Sequence, residues 1–156
     1  MANTYTQVNL HCVFAVKGRQ NLLASSFRNE LFSYMSAVLK SHNAYPLAVG
    51  GWTDHVHVFF EMPTDKTISD LMRDVKAISS KWINENNLVT GRFQWQSGYG
   101  AFSYAKSQRD NVIRYIMRQE EHHQRQAFRD EYLDLLAKFD VSYNPDYLFE
   151  FYDGVS

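Results

Sequence analysis

Cysteine is nearly absent from this 156-residue chain: Cys12 stands alone. A single cysteine excludes an internal disulfide framework and fits a reducing cytoplasm. Cys12 lies between His11 and Val13 in an apolar run, so it is expected to be a small buried side chain rather than a nucleophile. Net charge is also missing. Lysine and arginine number 16 against 17 acidic residues, a formal charge of -1 at pH 7. Any contact with nucleic acid must therefore come from a local patch. No apolar run is long enough to cross a bilayer. Met1 to Tyr5 has neither the basic nor the apolar region of a secretory signal, which points to the cytoplasm and away from membranes. Repeats, low-complexity tracts and linkers are absent too, so one domain over 1–156 is expected. A 45% hydrophobic, 15% aromatic composition can fill a core, and a 21% charged fraction does not suggest disorder.

The most informative stretch is Asp54-His55-Val56-His57-Val58-Phe59-Phe60. Its alternation and its β-branched and aromatic residues predict a strand. Side chains two apart on a strand share a face, so His55 and His57 would stand side by side, about 7 Å apart along the strand. That is half of a metal site, with Val56, Val58 and Phe60 facing a core. The competing reading is two polar residues on the open face of a sheet.

Around this stretch the patterns alternate. Val8 to Lys17 reads as a strand. A helix capped by Ser25 or Ser26 carries Phe27, Leu31, Tyr34, Met35, Val38 and Leu39, and closes at Ser41-His42-Asn43. Tyr45 to Trp52 is a second strand that forms a hairpin with the histidine strand, which ends at Pro63. Thr67 or Ser69 opens a helix bearing Ile68, Leu71, Met72, Val75, Ile78 and Trp82. Phe93 to Tyr104 reads as a fourth strand with a bulge or loop near Gly98. Ser107 caps a long helix to about Arg125, and a last helix covers about Phe128 to Phe139. The order predicts an α+β fold of the ferredoxin-like, split βαβ type. Its four-stranded antiparallel sheet carries helices on one face, the other face is free to hold a site, and C-terminal helices follow.

On the long helix Tyr115 and Gln119 are four apart and share a face, while Ile113, Ile116 and Met117 form a separate docking stripe. A glutamine carbonyl can complete a metal site, and a nearby tyrosine can attack a phosphate. An amphipathic helix with a partly buried tyrosine is the plainer alternative. His122 and His123 one turn on could assist proton transfer, but a place at the helix C-terminus, where partial negative charge favours them, is the preferred reading. Asp54 could orient an imidazole or serve only as a turn residue. His11 and His42 carry no chemical argument.

The His-hydrophobic-His strand followed by Tyr-Ile-x-x-Gln on a later helix resembles the HUH single-tyrosine transposases of insertion sequence family 200/605, including those associated with REP repeats. The likeness extends through Gly-Gly-Trp-Thr-Asp-His-Val-His-Val at 50–58, Trp-Gln-x-Gly-Tyr-Gly-Ala-Phe-Ser at 95–103 and Arg-Tyr-Ile-x-x-Gln-Glu-x-His-His at 114–123. It implies that His55, His57 and Gln119 coordinate one divalent cation and that Tyr115 is the nucleophile. It further implies cleavage of single-stranded DNA beside hairpins through a 5′-phosphotyrosine and a free 3′-OH, followed by rejoining. Homodimers, with the tyrosine helix often serving the partner's metal site, are part of the same expectation, and Val8 to Val16 is the expected pairing edge.

The chemistry is consistent with those roles. A free tyrosine has a pKa near 10, so only about one in a thousand is ionised at pH 7 and it needs help to attack. A covalent intermediate conserves the phosphodiester energy, so rejoining needs no nucleotide. Imidazole suits manganese, cobalt or zinc better than magnesium by ligand softness, while cellular abundance favours magnesium; magnesium and manganese both stay open. Lys17, Arg19, Arg73, Lys76, Arg109, Arg114 and Arg118, with Lys81, Arg92 and Lys106, are candidate DNA contacts. Trp52, Trp95, Tyr99, Phe102 and Tyr104 are candidate stacking platforms. Ordinary solvated and core positions are the alternative for each. Three further readings compete: a non-catalytic ferredoxin-like nucleic-acid-binding module, a relaxase-type nicking enzyme, and a domesticated nicking endonuclease.

Overall fold

The computed structural model describes residues 3–18 and 22–152. Four strands, β1 (Asn9–Ala15), β2 (Tyr45–Gly51), β3 (His55–Glu61) and β4 (Gly100–Tyr104), form one antiparallel sheet in the order β2-β3-β1-β4. Two helices, α1 (Ser25–Ser41) and α2 (Ile68–Glu85), join the halves. This is the split βαβ arrangement expected from the alternation of patterns. Thr67 caps α2 as predicted, its hydroxyl accepting from the Asp70 amide at 3.1 Å. At α1 the boundary differs. Extended Ala24 holds the cap position and its carbonyl takes the Phe27 and Arg28 amides, so Ser25 and Ser26 lie inside the first turn.

Register sorts the sheet into two buried faces. Leu10, Cys12 and Phe14 of β1 stand opposite Phe60, Val58 and Val56 of β3, and these six pack in the core to which α1 and α2 contribute Leu31, Met35, Leu71, Met72 and Val75. Cys12 is fully buried there, and burial pushes its thiol up to about 12, so it is the inert apolar residue expected. His11, Val13 and Ala15 pair with Phe59, His57 and His55 on the other face.

That second face is not free. Three further helices follow β4: α3 (Arg109–Met117), α4 (Gln119–His123) and α5 (Phe128–Lys138). Val112 and Ile116 of α3 pack on Ala48 and Phe59. Tyr132 of α5 lies against Gly100 on β4. The predicted open face is thus a second, smaller core with a polar centre. The single helix predicted from Ser107 to Arg125 is also divided. A 3-10 turn spans Lys106–Gln108, and Arg118 (φ −104°, ψ 19°) separates α3 from α4. Neither glycine nor proline marks that break, so local sequence carries no sign of it.

Two further expectations change. β4 is shorter than Phe93 to Tyr104. The chain at Trp95 makes only one bridge to Val16, and Lys76 Nζ takes the Gln96 and Gly98 carbonyls at 2.8 and 2.7 Å in place of a neighbouring strand. β1 is a central strand with both ladders filled by β3 and β4, so it offers no edge for pairing with a second copy. Among the described residues no helix is long and apolar enough to cross a membrane.

Glycine is required where α3 crosses β2. A Cβ on Gly50 would lie 2.6 Å from the Ile116 carbonyl oxygen, a backbone atom that cannot yield without moving the helix. At Gly100 the clash, 2.7 Å, is with the hydroxyl end of Tyr132, which can swing away. Gly50→Ala is therefore expected to destabilise by roughly 1–3 kcal/mol and Gly100→Ala by less. Chemical denaturation of the two variants checks the ranking; equal stability of Gly50→Ala and the parent chain would contradict it.

Candidate active site

The register that puts His55 and His57 on one face also puts them under α3, α4 and α5. Both imidazoles are fully buried, although strand histidines on a two-layer sheet would be solvated. Gly50, directly opposite His57, lets α3 approach closely enough for its C-terminal end to hang over them. The backbone turn at Arg118 then directs Gln119 inward, where it is 1% exposed. Tyr115, on the preceding turn, is half-buried with its ring edge-on to His57 at 5.7 Å. Tyr115, Gln119, His55 and His57 are thus brought together within one chain.

Glu131 of α5 is at the centre of this group. Its Oε1 lies 3.2 Å from His55 Nε2, 3.3 Å from His57 Nε2 and 2.9 Å from His123 Nε2. Its Oε2 accepts from Gln119 Nε2 at 2.8 Å and, in a very short contact, from the Tyr115 hydroxyl. Gln119 Oε1 faces His55 Nε2 at 3.0 Å and His123 Nε2 at 2.8 Å. The outer nitrogens have their own partners. Asp54 Oδ1 accepts from His55 Nδ1 at 2.7 Å, so Asp54 does orient an imidazole. The Gln126 carbonyl accepts from His123 Nδ1 at 2.7 Å. Phe128 stacks flat on His55, centroids 4.0 Å apart, and fixes the plane of that ring.

This donor set fits a cation. With Nδ1–H given to Asp54, His55 directs Nε2 at two oxygens that can only accept. Burial opposes the imidazolium, yet hydrogen bonds to Asp54 and Glu131 and their charges outweigh it and push His55 up to about 9. A proton therefore fills the position that a metal would fill. At His57 burial dominates over Glu131 and the pKa falls, so this ring is neutral. Its Nδ1 lies 2.7 Å from His11 Nε2, while His11 Nδ1 is buried with no partner among the described residues. That bond can run in either direction. With His57 Nδ1–H donating to His11, His57 Nε2 is left as a lone pair facing Glu131 Oε1. The ligand atoms of His55, His57 and Glu131 all lie within 4.8 Å of one another, close enough to share one ion.

Electrostatics also bind the nucleophile candidate. Burial, then the Glu131 charge and its hydrogen bond, hold the Tyr115 phenol well above its ordinary pKa. Burial opposes the Glu131 carboxylate, but the surrounding imidazoles of His57, His123 and His55 and their hydrogen bonds hold its pKa well below the usual range. The Tyr115 ring opens on a cleft of about 890 Å³ lined by Arg114, Arg118 and Arg125.

The remaining expected DNA contacts scatter. Arg114 and Arg118 are exposed beside Tyr115. Lys17 and Arg73 line a separate groove of about 1160 Å³ along α2 and residues 91–99, and Arg73 pairs there with Asp70 and Asp74. Lys76 is half-buried, tied to two carbonyls and lowered to about 8 by burial. Trp95 donates to Ser79 Oγ at 3.0 Å and packs edge-to-face on Phe14 and Phe93. Arg109 binds Gln7, Asn9 and Glu61 at the end of β1. Phe102 is buried, so it offers no stacking platform. Arg19 lies outside the described residues.

Three site residues were not singled out by their sequence pattern. Glu131 falls on the buried stripe of α5 with Phe128, Tyr132 and Leu135, and a carboxylate at a core position was the available signal. His123, read as a helix-end residue, touches both Gln119 and Glu131. His11 stacks on His57 with ring centroids 4.9 Å apart; one histidine on a central strand gives no such warning.

Comparisons with known proteins bear on the fold and the family. Curated protein sequences give no match. A candidate transposase from Deinococcus radiodurans R1 has a similar structure, with TM-score 0.59 and 17% identity over 76% of this chain and 95% of that one. So does a REP-associated tyrosine transposase bound to a REP hairpin, with TM-score 0.58 and 14% identity over 96% of this chain and 91% of that one. The family described as "Transposase IS200 like" matches residues 4–119, from the approach to β1 through Gln119. With β3 supplying the paired imidazoles and that match spanning most of the sequence, the chain belongs to the IS200-like transposase family.

Proposed function

We propose that the chain is a single-strand DNA transposase that cuts and rejoins DNA beside hairpins, using Tyr115 as its nucleophile. The observation that carries this reading is the intrachain meeting of Tyr115 and Gln119 with His55 and His57. In the step envisaged, Tyr115 Oη attacks phosphorus, the bond to the 3′ oxygen breaks, and the 3′ oxygen leaves as a hydroxyl. The product is a 5′-phosphotyrosine. Rejoining reverses this: a 3′-OH attacks the phosphotyrosine and the phenol is released with its proton. Bonds broken and formed balance, so no nucleotide is consumed.

The chain's own groups fit these tasks. Glu131 Oε2 accepts the phenol hydrogen bond and aims Oη. Arg114 and Arg118 give the cleft beside Tyr115 positive charge for the phosphate backbone. His55, His57 and Gln119 would hold magnesium or manganese, which when bound neutralises charge on the scissile phosphate. By analogy with the structural neighbour bound to a REP hairpin, a hairpin-bearing single strand is the substrate proposed. A non-catalytic module that stacks bases on its open sheet is disfavoured, because α3 and α5 cover that face. Tyr115 lies with its own chain's histidines, so we place cleavage in cis even within a homodimer.

The test is covalent capture. The protein is incubated with single-stranded DNA from the flanks of its own gene and Mn2+, then denatured and run on a gel. A DNA adduct is expected with the parent chain and none with Tyr115→Phe. An adduct that persists in Tyr115→Phe would remove Tyr115 from the role.

A further inference from the structure

We infer that Glu131 is a protein ligand of the catalytic cation, completing a two-imidazole, amide and carboxylate shell that favours Mn2+ over Mg2+. The inference rests on the reading of His55, His57 and Gln119 as cation ligands and adds a fourth donor from outside the matched family stretch. That match ends at Gln119, whereas Glu131 comes from α5.

Four observations support the assignment. First, Glu131 is 2% exposed on a helix whose other inward residues are apolar, and a buried carboxylate needs a compensating charge. Second, the two oxygens divide their partners. Oε2 accepts from Tyr115 Oη and Gln119 Nε2, with His122 Nε2 at 3.5 Å, whereas Oε1 faces the Nε2 atoms of His55, His57 and His123. Third, Asp54 takes the outer N–H of His55, and His11 can take that of His57, so neither Nε2 needs to carry a proton. Once the protons have left, Oε1, two Nε2 atoms and Gln119 Oε1 converge as acceptors with no donor among them, and a divalent cation satisfies all four. Fourth, His11 Nδ1 is buried and has no partner among the described residues, and it can carry the proton that His11 must hold when His57 donates to it.

The donor set also ranks Mn2+ above Mg2+. Mg2+ sheds water reluctantly and prefers oxygen ligands, usually one or two carboxylates with several waters retained. Two imidazoles and a carboxylate suit a borderline ion better. Glu131 has a second consequence: one carboxylate would touch the cation through Oε1 and the nucleophile through Oε2, fixing their separation. His123 Nε2 contacts both Glu131 Oε1 and Gln119 Oε1 and acts as a positioning residue behind them.

The test is binding, not turnover. Mn2+ and Mg2+ are titrated into the full chain by calorimetry, with folding checked by circular dichroism. The parent chain is expected to bind Mn2+ at least about tenfold tighter than Mg2+. Glu131→Gln is expected to lose about 10- to 100-fold in Mn2+ affinity, and Tyr115→Phe to keep it within about threefold. Should Glu131→Gln fail to fold, Glu131→Asp, which keeps the charge on a shorter arm, is expected to fall between the two. A folded Glu131→Gln or Glu131→Asp chain that binds Mn2+ like the parent, while His57→Ala does not, would overturn the assignment. The covalent-capture result separates the two ideas. A Tyr115-dependent adduct with Mn2+ affinity indifferent to residue 131 leaves the transposase reading standing and removes Glu131 from the shell.

Discussion

His57→Ala is expected to lower strand cleavage by about a thousandfold, and an equal mixture with Tyr115→Phe chains to stay inactive. Under the proposed mechanism, removing one imidazole would leave His55, Gln119 and Glu131 unable to hold the ion that would offset charge at the phosphate. A loss of about 4 kcal/mol of transition-state stabilisation corresponds to that factor. The mixture adds a geometric test. In the family it resembles, the tyrosine helix often serves a partner's metal site, and such subunits would complement each other. Here the Tyr115 phenol bonds to Glu131 of the same chain, which in turn touches that chain's His55 and His57. Each mixed protomer therefore carries one defective half of its own site. Gel quantification of nicked single strands checks both claims. Restored cleavage in the mixture would show that α3 changes partners.

The second large effect is on pH dependence: ion-free stability falls as pH rises while Mn2+ affinity climbs. Burial, hydrogen bonds to Asp54 and Glu131, and their charges leave His55 with a pKa of about 9 against an ordinary 6.5. A raised folded pKa means the unfolded chain loses its proton first. The stabilisation is full below about pH 6.5 and disappears as pH rises through about 9, an effect on the order of 3 kcal/mol. His57 is shifted down and acts the other way, destabilising the fold only as pH falls below its ordinary value. Mn2+ competes with the His55 proton, so its affinity should climb about tenfold per pH unit up to about 9 and then level. Thermal melts with and without excess Mn2+ from pH 6 to 9.5 check this. Midpoints should fall with pH in the absence of metal, and the Mn2+ increment should grow. An ion-free midpoint that is flat across that window would mean that His55 is not held as an imidazolium.

The residues most legible in the sequence were those whose chemistry is local. Alternation from Val56 to Phe60 follows from the period of a strand, whereas the shared helix face expected for Tyr115 and Gln119 is interrupted by the break at Arg118. The Thr67 cap is equally local, needing only a hydroxyl three residues before an amide. Positions set by distant partners were not legible. β1 read as an edge because one strand's pattern does not say how many neighbours it has. The helix break at Arg118 has no glycine or proline to announce it. Phe93 to Tyr104 has the composition of a strand throughout, but Lys76 reaches across from α2 and takes two of its carbonyls.

The same division applies to function. By itself the sequence determined the split βαβ order and the paired imidazoles on one strand, because fixed backbone periods set both; the tyrosine and glutamine were legible as a pair, but they sit on two helices, α3 and α4, and the turn at Arg118 brings them together. Only the tertiary structure decided that the second sheet face is closed and that Tyr115 meets its own chain's histidines. It also placed the carboxylate of Glu131 between them. Those features depend on how α3, α4 and α5 pack across the strands, with Gly50 allowing the close approach. Packing between elements far apart in sequence is a property of complementary surfaces, and no local spacing encodes it.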